Sequence, residues 1–403
     1  MDHGRRTTDN GPQVTPSEGA AAARRTTDGV PTLGILGAGQ LGRMTALAAV
    51  RMGVRVKLLT PKASGSEAAF ADVTVADWTD PAVLRAWAEG CDAVTVESEW
   101  APADRLAEVL PEGTALWPRP ETLRLVRHKG RQKEALDAAG LPLPPFALCA
   151  TLDDARAAAA RFGYPVVLKR YEGSYDGYGN ATCRDEAALA DAWPDLAAED
   201  GALVEAWVPF EQELAVQVAR RADGATAVYP VAHTEQREHR CHAVVLPAGL
   251  PAAVDAEARR VGLAAVEAVG GVGLVAAELF QLPDGRVLVN ELAPRPHNTG
   301  HYSIEACHTS QFENHVRAVL GWPLGDPGLR VPAACMVNVL GHTDGPTIVR
   351  GLEDALAVAG AAVHLYGKAT VRPRRKMGHV TVTADDAEAA RARAEHAASL
   401  IRL

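Results

Sequence analysis

The sequence has few of the features that a secreted or membrane protein needs. Its 403 residues include six cysteines, none in Cys-X-X-Cys spacing, which is typical of reduced thiols in a cytoplasmic protein and not of a disulfide framework. No apolar run reaches the roughly 18 residues that a membrane-spanning helix requires. The arginine pairs near the N-terminus have no apolar segment behind them, so we expect no signal peptide. We therefore expect a cytoplasmic protein.

The chain also lacks an excess of positive charge. Its formal net charge is -9 at pH 7, so no overall field attracts nucleic acid. An anionic nucleotide would have to be bound by local basic residues together with a metal ion. We therefore expect neither a nucleic acid polymer nor a membrane as a partner, and a small-molecule site is the expected kind.

The length and the hydrophobic pattern predict several domains and an α/β fold. Residues 31–120 alternate buried strands with helices, which indicates a doubly wound sheet of parallel strands with helices on both faces. A central domain follows over residues 121–325, and a small C-terminal domain over residues 326–403. Residues 1–30 are polar and carry the string RRTTD twice, so we expect a disordered tail there.

A glycine-rich turn, GAGQLG, lies between the first predicted strand and the first predicted helix, at residues 37–42. Glycines let the backbone approach a phosphate, and the helix N-terminus offers free N–H groups. A dinucleotide site also needs an acidic residue at the end of the second strand, but that strand ends Leu58-Leu59-Thr60-Pro61. The sequence therefore disfavours NAD. It leaves open the phosphate of another ligand or simple close packing.

A second glycine-rich stretch follows a lysine that ends an apolar strand. Lys169 precedes the segment GSYDGYG at residues 173–179. Such a loop can cover a triphosphate while the lysine contacts phosphate oxygens. A plain surface hairpin is the alternative, and the loop alone does not decide between the two.

Two apolar segments each carry a carboxylate. Glu278 lies in VAAELF, and Asn290-Glu291 in VLVNEL; residues 273–279 and 286–292 predict a hairpin around Pro283-Asp284-Gly285. Carboxylates are rarely buried without a partner, and Mg²⁺ prefers such oxygen ligands together with ATP phosphates. The segments therefore predict a Mg-ATP site, with a structural salt bridge as the alternative.

Basic residues cluster at two further places. Arg295 and His297 follow the second carboxylate strand and can stabilise charge that develops in a transition state. Lys368 and Arg375 belong to a C-terminal cluster that fits either a substrate phosphate or a solvated basic face. The string His239-Arg240-Cys241-His242 fits no common zinc spacing, so we do not expect a zinc site there.

These motifs stand in a recognisable order. From about Thr32 to Val382 the chain resembles the N5-carboxyaminoimidazole ribonucleotide synthetases, which are ATP-grasp enzymes of purine synthesis. The resemblance rests on the strings GILGAGQLGRM, YPVVLKR, YDGYG, LVNELAPRPHNTGH, TSQFENH and YGKATVRPRRKMGHV. It implies three domains: an N-terminal doubly wound parallel sheet, a central ATP-grasp domain and a small C-terminal domain. It also implies ATP and Mg²⁺, bicarbonate and a phosphorylated amine as substrates, and a homodimer.

The resemblance also implies a role for individual residues. Glu278 and Glu291 should hold Mg²⁺, and Tyr175, Asp176, Arg295 and His297 should line the reaction centre. The expected ATP contacts are Lys129, Lys169, Gly173, Ser174, Gly177, Gly179, Glu205, Val208, Glu213, Gln236 and Asn290. The expected contacts to the ribonucleotide are Gln40, Leu41, Glu97, Tyr178, Lys368 and Arg375.

Several residues depart from the family pattern. Ser174 stands for a loop glycine, Tyr178 for the basic residue of that loop, and Arg374 for the usual glycine before the RK pair. Glu97-Ser98-Glu99-Trp100 replaces the typical EFEN, and Arg240 lies where an apolar residue is more usual. A diverged paralogue that joins a different acid and amine is therefore one alternative function, and a non-catalytic nucleotide-binding protein is another.

Overall fold

The computed structural model describes residues 29–62, 67–173, 178–238 and 240–403. The predicted disordered tail therefore lies almost wholly outside the described residues. Ser174, Tyr175, Asp176, Gly177 and His239 lie outside them as well.

The N-terminal part is a five-stranded parallel sheet in the order β3-β2-β1-β4-β5. Parallel order follows from the sequence, because helices return the chain between strands and apolar residues such as Leu33, Ile35 and Leu58 fill the layers around the sheet. The strands are β1 Thr32–Leu36, β2 Arg55–Thr60, β3 Asp72–Val75, β4 Ala93–Val96 and β5 Ala115–Leu116. The helices are α1 Gln40–Arg51, α2 Pro81–Ala88 and α3 Ala103–Val109.

Two helices, α4 Pro120–Arg127 and α5 Lys129–Ala138, lead into the central part. The sequence predicts one helix here, but His128 is extended (φ -93°, ψ 101°) and its side chain accepts a hydrogen bond from the Arg131 N–H. His128 thus caps a new helix. The break gives α5 a direction of its own, with Lys129 at its first turn.

A small antiparallel sheet comes next, in the order β6-β9-β7-β8. Two helices cover one face of it, and the first begins with a capping box between Thr151 and Asp154. The strands are β6 Phe146–Cys149, β7 Val166–Arg170, β8 Asn180–Cys183 and β9 Ala202–Ala206, and the helices are α6 Leu152–Phe162 and α7 Glu186–Leu196.

The largest sheet has nine strands and joins the central and C-terminal parts of the chain. Its order is β15-β14-β10-β12-β13-β16-β20-β18, with β11 beside β10. Strand β13 pairs with β16 across the expected domain boundary near residue 325. The strands are β10 Gln212–Arg220, β11 Thr226–Val228, β12 Ala232–Arg237, β13 Arg240–Leu246, β14 Gly273–Gln281, β15 Val287–Ala293, β16 Ala333–Leu340, β18 Ala361–Leu365 and β20 Lys376–Ala384.

Helices cover this sheet, and the predicted hairpin forms its β14–β15 edge. The helices are α8 Ala252–Ala268, α9 Ser303–Ala306, α10 Gln311–Val319, α11 Leu352–Leu356 and α12 Ala387–Leu400; β17 Gly345–Pro346 pairs with β19 Thr370–Val371. Across the described ranges, no helix has both the length and the apolar character to cross a membrane.

One buried histidine ties the first sheet to the largest one. His315, on α10, is fully buried. Its Nδ1 accepts a hydrogen bond from the Leu274 N–H at 2.9 Å, so its Nε2 carries the proton and donates to Thr95 Oγ1 at 2.9 Å. Burial lowers the pKa of His315 to about 3. The imidazole is therefore neutral at pH 7 and acts as a fixed polar link between β4 and β14.

Replacing this link should cost stability. We expect His315→Leu to lower the free energy of unfolding by about 2–4 kcal/mol, because the Thr95 hydroxyl and the Leu274 N–H are left buried without partners. Urea unfolding followed by circular dichroism measures the change. His396→Leu, on the exposed face of α12, is the matched control and should stay near wild type. Equal stability of the two variants would contradict the role of His315.

Candidate active site

Three parts of the chain meet around a cavity of about 470 Å³. The N-terminal sheet contributes residues 39–41 and 97–100, which follow β1 and β4. These are carboxyl ends of parallel strands, where ligands of such sheets bind. The largest sheet and α5 contribute Lys129, Glu291, Arg295 and His297, and the C-terminal part contributes Lys368, Arg375 and Lys376.

Acidic side chains face one another at one end of the largest sheet. Glu278 on β14 lies directly opposite Glu291 on β15, and Glu213 is on the neighbouring strand β10. Burial raises the pKa of Glu278 to about 8, and the nearby charges of Glu291 and Glu213 add to that effect. Such repulsion disfavours three ionised carboxylates unless a cation is present. The arrangement is therefore that of a cation site.

The donor set fits Mg²⁺ completed by phosphate oxygens. No group of three acidic, histidine or cysteine side chains converges on one point within the described ranges. Mg²⁺ does not need such a group, because one or two carboxylates suffice when phosphates and water fill its shell. In this structure Lys129 pairs with Glu291, and the His297 imidazole lies beside the other carboxylate, with Nδ1 3.6 Å from Glu278 Oε1.

A buried carboxylate organises two lysines beside this acidic pair. Glu205 on β9 is 3% exposed and forms ion pairs with Lys169 and, at 2.8 Å, with Lys133. Burial alone would raise the pKa of Glu205, but the two lysines outweigh it and lower the pKa to about 2. Lys169 Nζ also lies 3.3 Å from Asn290 Oδ1. Lys169 is thus held between β9 and β15.

The two ion pairs give Glu205 a positioning role toward Lys169. The expected contact of Glu205 with ATP stays a prediction. Lys133 is the residue that the sequence reasoning left without a role. The signal was present, since Lys129 and Lys133 are four residues apart and so lie on one face of α5.

The turn after β15 is fixed by two polar contacts. Arg295 makes a bidentate pair with Glu99, with Nε–Oε2 at 2.6 Å and Nη2–Oε1 at 3.1 Å. The Gln311 side chain accepts from the His297 N–H at 2.9 Å and donates to the His297 carbonyl at 2.7 Å. Gln311 is fully buried. The TSQFE string therefore serves to hold the PRPHN turn in shape.

The electrostatics set the charge state of His297. Burial, together with Arg295 and Lys376, lowers its pKa to about 3. Its Nδ1 lies 2.9 Å from Thr299 Oγ1. A neutral imidazole at this place can exchange a hydrogen bond with a substrate but does not add positive charge. Arg295 is the permanent cation of the turn.

The first glycine-rich turn already holds a carboxyl group of the protein itself. Glu97, directly after β4, accepts hydrogen bonds from the Gly39 N–H and the Gly42 N–H, both at 2.9 Å. A Cβ at Gly37, Gly39 or Gly42 would lie within 3 Å of atoms of this carboxylate. The glycines are therefore needed for the approach of Glu97. The two N–H groups that a phosphate would use at this turn are satisfied by a side chain.

The C-terminal part reaches this turn through one lysine. Lys368 Nζ donates to Gln40 Oε1 at 2.6 Å and to the Lys376 carbonyl at 2.5 Å. Arg375 faces the same cavity, and its Nη1 donates to the Thr370 carbonyl at 2.9 Å. Gln40, Lys368 and Arg375, which are distant in sequence, are thus brought to one wall.

Comparison with known proteins identifies the family. Domain models match along the chain: the ribonucleotide synthetase preATP-grasp domain over residues 30–127, the ATP-grasp domain over 134–312, and the phosphoribosylaminoimidazole carboxylase C-terminal domain over 334–393. The N5-carboxyaminoimidazole ribonucleotide synthase of Synechococcus elongatus is 40% identical over 355 residues, 88% of this chain and 89% of that protein. The chain belongs to the N5-carboxyaminoimidazole ribonucleotide synthase family.

Solved structures of this family have the same fold. The Thermotoga maritima synthetase is 38% identical with a TM-score of 0.83, over 93% of this chain and 99% of that one. The Aspergillus clavatus synthase in complex with ADP and 5-aminoimidazole ribonucleotide is 30% identical with a TM-score of 0.83, over 92% and 98%. These matches confirm the predicted α/β fold, with a parallel-sheet N-terminal domain, an ATP-grasp domain and a small C-terminal domain.

The other residues expected from the synthase family lie around the same region. Gln236 on β12 lies near Glu213 on β10, where burial raises the pKa of Glu213 and the Gln236 side chain offsets part of that rise. Val208 follows β9, and Leu41 packs on α1 against a cluster with Phe312. Gly173 and Gly179 have φ of 79° and 82°, which explains glycine at both positions. Tyr178 is 58% exposed; Ser174, Tyr175, Asp176 and Gly177 remain predictions.

The Glu205 ion pairs should give a characteristic pH dependence of stability. We expect Glu205→Gln to lower the free energy of unfolding at pH 7 by about 3–5 kcal/mol, because two buried lysines lose their shared counter-charge. The folded-state pKa of Glu205 is about 2, below the unpaired value of 4.5. The contribution is therefore complete above pH 4.5 and is lost as the pH falls towards 2.

Urea unfolding at pH 7, 5 and 3.5 tests this expectation. The difference in the free energy of unfolding between wild type and Glu205→Gln should be similar at pH 7 and 5 and smaller at pH 3.5. Glu199→Gln, at an exposed position, should show no gap at any pH. A gap that widens on acidification would contradict the assignment.

Proposed function

We propose that this chain carboxylates 5-aminoimidazole ribonucleotide to N5-carboxyaminoimidazole ribonucleotide, using ATP and bicarbonate. One observation carries the proposal. In a member of this synthase family, Glu291 of an acidic pair suited to Mg-ATP lines the same cavity as a basic wall suited to a ribonucleotide phosphate. The substrate of the Aspergillus clavatus complex has both an amine and a phosphate, which matches those two needs.

The proposed reaction has three steps. A bicarbonate oxygen attacks the γ-phosphorus of ATP, so that a new P–O bond forms while the bond to ADP breaks. The resulting carboxyphosphate breaks its carbon–oxygen bond and gives CO2 and phosphate. The amine nitrogen of the ribonucleotide then forms a bond to the CO2 carbon and loses a proton. Enclosure protects the unstable carboxyphosphate and CO2 from escape.

The acidic end of the sheet is the proposed ATP side. Glu278 and Glu291 would hold Mg²⁺, whose charge neutralises phosphate oxygens during phosphoryl transfer. Lys129 and Lys169 reach the same point from α5 and β7 and supply fixed positive charge. Gly173, Gly179, Val208, Glu213, Gln236 and Asn290 complete the proposed ATP contacts, together with Ser174 and Gly177.

The turn after β15 is the proposed reaction centre. Arg295 is oriented by Glu99 and can stabilise the anionic carboxyphosphate. The neutral His297 is held by Gln311 and can hydrogen-bond bicarbonate or the amine. Tyr175 and Asp176 are proposed to join them from the glycine-rich loop. Each group acts on charge that changes during the reaction, which is where fixed dipoles and cations lower a barrier most.

The opposite wall is the proposed site of the ribonucleotide. Lys368 and Arg375 are the phosphate ligands, and Gln40 orients Lys368. Leu41 and Glu97 shape the wall from the turn after β1, and Tyr178 is proposed to lie on the substrate side. A homodimer, which the family resemblance implies, and a cytoplasmic location, which the cysteine pattern indicates, remain predictions.

One observation favours a second candidate function. Tyr178 stands where the family pattern has a basic residue, so a paralogue that joins another acid and amine would differ at this place. Substrate dependence separates the two. The proposed function requires ADP release that depends on both bicarbonate and 5-aminoimidazole ribonucleotide, whereas the paralogue would release little ADP with that pair.

Removing one carboxylate of the acidic pair should abolish turnover. We expect Glu291→Gln to reduce the ADP release supported by both substrates at least a hundredfold, because the pair loses a charged ligand for Mg²⁺. Coupled ADP assays give the rate, and circular dichroism checks the fold. Glu267→Gln, exposed on α8, should retain the wild-type rate. Near-normal turnover in Glu291→Gln would refute the assigned metal ligand.

Removing a phosphate ligand from the ribonucleotide wall should change the Michaelis constant for the ribonucleotide. We expect Lys368→Ala to raise the Michaelis constant for the ribonucleotide about tenfold or more, since a charge-assisted hydrogen bond contributes roughly 1.5–3 kcal/mol. The Michaelis constant for ATP should change little. Lys62→Ala, which removes an exposed lysine after β2, controls for general charge loss. A change in the Michaelis constant for ATP alone would contradict the assignment of this wall to the ribonucleotide phosphate.

A further inference from the structure

The hairpin of β12 and β13 carries a buried arginine that none of the roles above uses. Arg240, the first residue of β13, is only 8% exposed. Its guanidinium carbon lies 5.3 Å from the ring centroid of Tyr178, which is itself 58% exposed. The phenol ring therefore lies over the guanidinium and contributes to its low exposure. This is a cation–π contact within the usual distance.

The positive charge of Arg240 has no compensation among the residues that the structure describes. Its side chain makes no ion pair or hydrogen bond there, and the group that faces its charge is the Tyr178 ring. Neighbouring arginines differ: Arg237 pairs with Glu395, and Arg374 pairs with Glu238 at 2.6 Å. A buried cation without a counter-charge is costly. Such a residue is expected to meet an anion that arrives with a ligand.

Arg240 is also close in the fold to the ATP side of the cavity. The next residue, Cys241, lies opposite Gln236, whose side chain is near enough to Glu213 of the acidic cluster to lower the pKa of that carboxyl. The Cys241 carbonyl accepts from Asn338 Nδ2 at 2.9 Å, and Asn338 bonds Asn298, a residue of the cavity wall. The strand end that carries Arg240 is therefore tied to both the acidic cluster and the reaction-centre turn.

Two of the departures from the family pattern are thus in contact with each other. The glycine-rich loop has lost its basic residue at Tyr178, and β13 has gained one at Arg240, where an apolar residue is more usual. The positive charge lost at Tyr178 equals the positive charge gained at Arg240, so the net charge is unchanged. The contact between the two side chains puts the new cation within one aromatic ring of the place where the old one is missing.

We propose that Arg240 is a catalytic residue that contacts the phosphoryl group leaving ATP, and that it replaces the missing basic residue of the glycine-rich loop. The inference rests on the proposed function, because it assigns the anion to that reaction. Tyr178 is a positioning residue in this scheme. Its ring lies over the guanidinium, which is little exposed, so that the charge is less screened than a surface charge where the phosphoryl group passes.

Moving the charge back to the loop tests the proposal. We expect Arg240→Leu to lower the kcat of ADP release, with bicarbonate and 5-aminoimidazole ribonucleotide saturating, by about tenfold to a hundredfold. The double variant Tyr178→Arg with Arg240→Leu should regain at least fivefold over the single variant. A merely structural role of Arg240 would not be rescued in this way. Arg237→Leu, on the same hairpin, should keep the wild-type rate.

Different results bear on the role of Arg240 and on the proposed function. Arg240→Leu within twofold of wild type, or a double variant no faster than the single one, overturns the role of Arg240. If thermal unfolding shows that Arg240→Leu does not fold, Arg240→Gln must give the same loss of rate. If wild type itself releases no ADP with this substrate pair, the proposed function fails. In that case the role of Arg240 is tested by calorimetric measurement of Mg-ATP binding. An affinity for Mg-ATP that Arg240→Gln leaves unchanged would overturn this role.

Discussion

The site depends on one constraint: charge that is taken out of water has to be compensated. Glu205 is compensated by Lys133 and Lys169, and this triad links α5, β7 and β9. Glu291 is compensated by Lys129. Because each pair joins different elements, the pairing itself determines where the elements meet. These ion pairs hold three parts of the chain around an open space, and that space is the cavity.

The charges that these ion pairs do not compensate indicate which ligand the site binds. Glu278 faces two other carboxylates, and the neutral His297 lies 3.6 Å from it. Arg240 is buried against a phenol ring. An excess negative charge at one point calls for a cation, and an excess positive charge at another calls for an anion. Mg²⁺ bound to a polyphosphate supplies both at once, which no single simple ion would do.

Much of the fold could be predicted from sequence, because local patterns decide it. The β14–β15 hairpin, the helix near the C-terminus and the parallel N-terminal sheet all follow from periodicity and turn residues. The break at His128 could not, because it depends on a side-chain cap. The pairing of β13 with β16 joins residues about ninety positions apart, and such long-range pairing leaves no local signal. Family strings gave the site residues but not their partners, such as Gln311 for His297.

The first glycine-rich turn illustrates why a motif needs its surroundings. The missing acidic residue after β2 argues against a dinucleotide, and the structure supplies an acidic residue after β4 instead. Glu97 occupies the N–H groups of the turn, and the glycines exist because its carboxylate lies against them. With the turn fixed in this way, Gln40 at the start of α1 is held facing Lys368. In other proteins the same glycine spacing binds a cofactor phosphate. In this chain it fixes the turn that carries Gln40, and so holds the cavity wall formed with Lys368 and Arg375. The charge of that wall is supplied by residues more than three hundred positions away, because only the folded chain brings Lys368 to the turn.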